Sequence, residues 1–161
     1  MSNLSMVLVS MLISGCGGSP IAVPSQSSPA PTVPAACSIV TAADVSGAFN
    51  RQFPTGATQS SLGAANDECL FVGKDGIVAV EIAGGEGASR LYASAQQKFA
   101  DLAPTPGVGD QALLEPDGTA IVAIKGHIGV FITALLNDEP AGDLSTGCVF
   151  LAKLVFSRAK S

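Results

Sequence analysis

His127 is the only histidine in the 161-residue chain, so any Ser-His-Asp relay or histidine-bearing metal site would have to include it. It stands with Gly126 between two strand-like runs, Ala120-Ile121-Val122-Ala123-Ile124-Lys125 and Ile128 to Leu136. That placement predicts a tight turn, where a polar residue needs no catalytic reason. Serines are plentiful, but none occupies a G-x-S-x-G elbow, the turn that holds a nucleophile exposed above a sheet. Carboxylates cluster at Asp67-Glu68 and at Asp138-Glu139 with Asp143. Neither group has the alternating oxygen-ligand spacing of a calcium loop, so both read as solvated loop charge. Gly107-Val108-Gly109-Asp110-Gln111-Ala112 spells the G-x-G-x-x-A dinucleotide fingerprint. That chemistry needs a strand before the glycines and a helix after them, so that the helix N-terminus meets pyrophosphate. Here Pro104 and Pro106 precede and the strand-like Ala112-Leu113-Leu114 follows. The motif therefore reads as a glycine turn in which Asp110 holds backbone. No catalytic residue is assigned, and no metal or cofactor is expected.

Cysteine carries the chemistry that remains. Cys16 ends Leu12-Ile13-Ser14-Gly15-Cys16, directly behind the apolar run Met6-Val7-Leu8-Val9-Ser10-Met11. An aliphatic residue, two small residues and a cysteine after a signal-length run resembles the lipobox of bacterial lipoproteins. The run is too short to span a bilayer. The resemblance implies that residues 1–15 are a signal peptide, that Cys16 receives a diacylglyceryl group, and that it becomes the mature N-terminus. Two or three acyl chains anchor a protein stably, where one binds only marginally. One feature departs from the pattern: no Lys or Arg lies between Met1 and Gly15, whereas such signals usually open with positive charge. With Cys16 lipidated, Cys37, Cys69 and Cys148 are left in an oxidising compartment, enough for one bridge. Cys37 precedes a capped helix and Cys69 opens a strand, whereas Cys148 shares a helical face with Leu151 and Val155. The expected pair is Cys37 with Cys69, and Cys148 is expected to be a buried free thiol.

Composition bounds the rest. The chain is 47% hydrophobic and only 13% charged, against about 25% charged for an average domain. Its formal charge is -5 with basic residues scattered singly, so no Lys/Arg patch is available to neutralise phosphates and nucleic acid is an unsuited partner. Residues 16–36, with Pro20, Pro24, Pro29, Pro31 and Pro34, read as a tether, part of it polyproline-like at about 3.1 Å per residue. One domain, residues 37–161, follows.

Within it, Thr41 and Asp44 have capping-box spacing, and Val40 and Val45 that of a hydrophobic staple. They predict a helix ending near Asn50, since Pro54 forbids its continuation. A weak strand is placed around Gln59 to Leu62. Strands from Cys69 and from Ile77 flank an Asp75-Gly76 turn, with Val78, Val80 and Ile82 on the core face. Ala88, Leu91, Tyr92, Ala95, Phe99 and Leu102 repeat at helical spacing. A three-stranded meander follows, with turns at Pro116-Asp117-Gly118-Thr119 and Gly126-His127. After a loop over residues 137–143, a last helix carries Leu144, Cys148, Leu151, Leu154 and Val155, ending in Arg158 and Lys160. The expected fold is α+β: a single domain with an antiparallel sheet of about five or six strands, helices packed on one side. Asp75-Gly76 before Ile77-Val78-Ala79-Val80 is echoed by Asp117-Gly118 before Ile121-Val122-Ala123-Ile124, suggesting pseudo-duplicated strand-strand-strand-helix halves.

These features together are similar to the small exported lipoproteins of unknown function found in actinomycete-type bacteria. The similarity rests on the Cys-Ser-aliphatic-aliphatic-Thr opening at Cys37, a second Cys before an aromatic-containing strand, Gly107-Val108-Gly109-Asp110-Gln111-Ala112, and a closing amphipathic helix. It covers residues 37–158 and brings no catalytic residues with it, and Cys148 lies outside its cysteine pair. The expectation is a lipid-anchored extracytoplasmic module that binds or senses without catalysis. Its partners would be the membrane through the anchor, and an envelope protein or small apolar ligand. A carrier of an apolar or lipid ligand, or a hydrolase using His127, are the alternatives.

Overall fold

A computed structural model describes residues 33–54, 56–60, 66–138 and 140–159. The lipobox, Cys16 and most of the tether lie outside the described residues, as do Leu62, Glu139 and Lys160.

The chain enters through a single helical turn, α1 (Ala36–Ile39), then α2 (Ala42–Phe49). Three strands follow, β1 (Gly56–Ser60), β2 (Asn66–Gly73) and β3 (Gly76–Gly84), then α3 (Glu86–Lys98). The second half runs β4 (Ala103–Pro104), β5 (Gln111–Leu114), β6 (Ala120–Lys125), β7 (Ile128–Leu136) and α4 (Ala141–Arg158). All pairings are antiparallel, in the order β1-β2-β3-β7-β6-β5-β4. The two meanders therefore meet at β3 and β7, with Val80 opposite Ile132 at the centre. This is the expected α+β domain. Six strands have four residues or more, and a two-residue strand closes one edge.

The local signals explain most boundaries. At α2, Thr41 accepts the Asp44 N–H and Asp44 accepts the Thr41 N–H, the reciprocal box that satisfies two orphan donors. Asn50 ends the helix in the left-handed conformation at φ 52°, which asparagine tolerates better than most residues. The β6–β7 turn is the expected Gly126-His127, with Lys125 opposite Ile128 and Gly126 at φ 58°. The β2–β3 turn differs from expectation. Its central residues are Lys74 and Asp75, with Gly73 opposite Gly76. Gly76, at φ 147°, lies where a Cβ would collide with the Leu135 carbonyl, so glycine there serves the β3–β7 approach rather than the turn centre.

Alternation puts Val78, Val80 and Ile82 of β3 beneath α1, α2 and α4, together with Cys69 and Phe71 of β2, Ile121 and Ala123 of β6, and Val130 and Ile132 of β7. Leu144, Cys148, Leu151, Ala152 and Val155 fill this core from α4. The opposite face carries Leu113 and Val122, which pack with Ala95 of α3. Helices thus lie on both faces of the sheet, not one. On the far face Ala88 of α3 sits directly against the backbone of Gly129 of β7, where a Cβ would collide with it.

Each half is a run of antiparallel strands followed by a helix, three strands in the first and four, counting the two-residue β4, in the second, but the helices take opposite faces. The echoed Asp-Gly stretches do not mark equivalent strands. Val78 faces the α4 core whereas its counterpart Val122 faces α3, the inversion that a one-residue slip produces in a period-two element.

Smaller corrections follow from the ends of elements. Ala36 is fully buried, so the domain begins slightly before Cys37. Cys69 sits in the middle of β2 rather than opening it, and the weak strand is Gly56–Ser60. α3 ends at Lys98, leaving Phe99 and Leu102 outside it, and α4 begins at Ala141 rather than after residue 143.

Candidate binding face

Cys37 and Cys69 are joined as a disulfide, their Cα atoms 5.0 Å apart, tying α1 to the middle of β2. Cys148 is free and buried. Burial, with a smaller contribution from Asp117, pushes its thiol up to about 12, so almost no thiolate exists at neutral pH and it is a poor nucleophile. His127 is exposed. Its carbonyl accepts the Gly85 N–H at 2.8 Å, which locks the β6–β7 turn to the start of α3. The hairpin uses the residue's backbone and leaves the imidazole in solvent.

Among the described residues, no group of three or more His, Cys, Asp or Glu is placed to hold a metal ion. Asp67 and Glu68 are successive β2 residues and point to opposite faces of the sheet. Asp67 Oδ1 is buried without a hydrogen-bond partner among the described residues. Asp138 lies in the turn two residues past the end of β7, and Asp143 in the first turn of α4.

Asp110 holds backbone as expected: its Oδ2 accepts the Gly126 N–H at 2.7 Å, and its own N–H donates to the Ile124 carbonyl at 2.7 Å. Gly109, at φ 62°, lies where a Cβ would strike that same carbonyl. The Gly-Val-Gly-Asp segment thus clasps the β6–β7 hairpin, with Val108 buried as its plug. A shallow cleft of about 580 Å³ lies beside the clasp, lined by Asp110, Lys125, Ile128, Phe156 and Ser157. A second, of about 360 Å³, lies between the end of α2 and the β2–β3 turn, lined by Ser46, Gln52, Phe53, Pro54 and Lys74. His127 lines neither.

The feature that sequence reasoning missed is on the α3 face of the sheet. α3 packs over β3, β7 and β6 only in part. Beyond it, three cross-strand rows lie side by side on β2, β3 and β7. Glu68, Glu81 and Phe131 form the first, Leu70, Ala79 and Thr133 the second, and Val72, Ile77 and Leu135 the third. The third row is open to solvent, with Val72 53%, Ile77 40% and Leu135 65% exposed. Among the described residues only Phe150 is a comparably exposed large hydrophobic residue, and these three are direct register neighbours. Single exposed hydrophobics need no explanation, but a contiguous row does.

At the α3 end the face is bounded by an aromatic wall. Phe99 and Phe131 lie 5.7 Å apart between centroids, with Lys98 Nζ 5.3 Å from one ring and 6.0 Å from the other. Period-two alternation in Ile77 to Ile82 gave a signal for the buried face. Nothing local reveals that the other face lacks a cover, because that depends on where α3 lands.

No helix among the described residues is long and apolar enough to cross a membrane. No family model, curated protein or solved structure matches the chain.

Proposed function

We propose that this chain is an extracytoplasmic lipoprotein, anchored through acylated Cys16, whose domain acts without catalysis as a docking module in the cell envelope. The observation that carries the docking role is the open apolar row Val72, Ile77 and Leu135 on an otherwise well-buried domain. An uncovered face suits a macromolecular partner. A carried lipid would instead need an enclosing cavity, and an apolar pocket that buries most of a ligand's surface is the usual solution for small molecules. The oxidised Cys37–Cys69 pair supports an exported location, since structural disulfides persist where the surroundings oxidise.

Two experiments test the two halves of this reading. Cys16→Ser should abolish labelling by a fatty-acid analogue and release the protein from the membrane pellet. Retention of label in that variant overturns the anchor. A photo-crosslinking residue at position 135 should give discrete adducts in intact cells, while the same residue at exposed Ser94 of α3 should give none. Equal adducts from both positions overturn the docking face.

A further inference from the structure

The cleft of about 580 Å³ beside the Gly-Val-Gly-Asp clasp lies at the opposite end of β7 from Leu135, where the β6–β7 hairpin meets the last turn of α4. We infer that it binds a short peptide of two or three residues with free termini and at least one apolar side chain. Two charges at its rim select this ligand. Asp110 and Lys125 both line the cleft, both are exposed, and they do not pair with each other. Asp110 is already held in place, because its Oδ2 accepts the Gly126 N–H at 2.7 Å. Its Oδ1 has no partner among the described residues, and neither does Lys125 Nζ. Arg158 is the other cation on the last turn of α4, and it is turned to Asp44 and the Ile39 carbonyl, so Asp110 is left unneutralised.

A purely anionic ligand would meet Asp110 and a purely cationic one Lys125, whereas a molecule carrying both signs satisfies both. The floor between them is apolar: Ile128 is 5% and Phe156 9% exposed. The Phe156 ring reaches the clasp itself, since a Cβ on Gly109 would come within 3.1 Å of it. The carbonyl end of a helix favours positive charge, so the last turn of α4 and Asp110 together hold the ammonium, and Lys125 takes the carboxylate. Size then favours a peptide. The volume falls in the range of about 300 to 1,000 Å³ usual for small-molecule sites, and two or three extended residues span about 7 to 11 Å. A free amino acid, with both charges on one carbon, would leave most of that space unfilled. Exposed ion pairs contribute little each, so binding is modest and readily reversed, as suits a sensor of solute level.

The test titrates the full chain carrying Cys16→Ser with leucyl-leucine while amide chemical shifts are followed. Asp110, Gly126 and Ser157 should shift together and saturate. N-acetyl-leucyl-leucine and leucyl-leucine amide each lack one charge and should bind about threefold or more weakly. Glycyl-glycine, without the apolar side chains, should lose about tenfold. Asp110→Asn keeps an acceptor for the Gly126 N–H and should weaken leucyl-leucine without changing the affinity for its N-acetyl form. Lys125→Gln should weaken leucyl-leucine without changing the affinity for its amide. Equal binding of the two blocked peptides and the free one, measured on the parent chain, overturns the pairing of charges whatever the variants do. Glycyl-glycine binding as tightly as leucyl-leucine overturns the apolar floor, and free leucine doing so overturns the peptide. Absence of saturable shifts around Asp110 and Gly126 overturns the site and leaves the open row on the other face of the sheet untouched.

Discussion

Asp44 satisfies more partners than its sequence neighbourhood announces. Its Oδ2 accepts the Thr41 N–H at 2.8 Å and the Thr41 hydroxyl at 2.7 Å. Arg158, 114 residues away, donates to Oδ2 at 2.6 Å and to Oδ1 at 2.9 Å. The same guanidinium donates to the Ile39 carbonyl at 2.7 Å, so one arginine closes α1, α2 and the end of α4. The Arg158 hydrogen bonds, with help from Thr41 and against the cost of burial, hold the Asp44 carboxyl at about 2 instead of 3.8. A carboxyl lowered by folding stabilises the native state above its unfolded value, and this contribution is lost as pH falls from about 4 toward 2. Arg158→Leu should therefore be less stable than the parent at pH 5, and the gap should narrow toward pH 2. Thermal melts across that range measure it, and a gap that does not change with pH would rule out the linkage. Thr41→Ala should cost about 1 kcal/mol through loss of the cap. The capping box was legible because its partners are three residues apart. The arginine was not, since its role at a helix C-terminus looked sufficient and the pairing exists only once α4 lies across α2.

At the scale of elements, close approach decides what the side chains alone do not. Gly147 of α4 lies where a Cβ would run into the Phe49 ring of α2. Alanine is worth about 1 kcal/mol over glycine in a helix interior, but overpacking a buried ring costs about 1 to 3 kcal/mol. Phe49 is only 2% exposed, leaving the ring little room to move. Gly147→Ala should thus be destabilising despite its propensity, and adding Phe49→Leu should recover part of the loss; urea denaturation of the two variants and their parent completes the cycle. The same logic sets what could be read in advance. Val78, Val80 and Ile82 declared the buried face of β3, and Gly126-His127 declared its turn, because both are local patterns. The side of the sheet taken by α3 was not declared, since its contact with Gly129 joins residues from different halves. The open row was hidden with it: Ile77 and Leu135 look like ordinary strand residues until α3 is seen to lie elsewhere.

For the molecule as a whole, the decisive tie is Cys37–Cys69, which closes a separation of 32 residues. The chain-entropy model assigns such a loop about 3 to 4 kcal/mol. Replacing both cysteines by alanine should lower unfolding stability by that order, as measured by denaturant titration under non-reducing conditions. The pairing was legible because Cys148 sits among apolar helical neighbours. The topology was only partly so: antiparallel strands joined by short turns follow from the sequence, while the β3–β7 junction joins the far ends of two meanders. The bridge has one more consequence, which is mechanical. Any pull on the chain N-terminal to Cys37 passes through the sulfur atoms directly into β2, which is held on both sides by β1 and β3. The helix α2 with its capping box and the edge strand β1 then carry almost none of the tension. A domain pulled from its N-terminal side would in this way take load at its sheet, where many hydrogen bonds share it, and spare α2 and its cap.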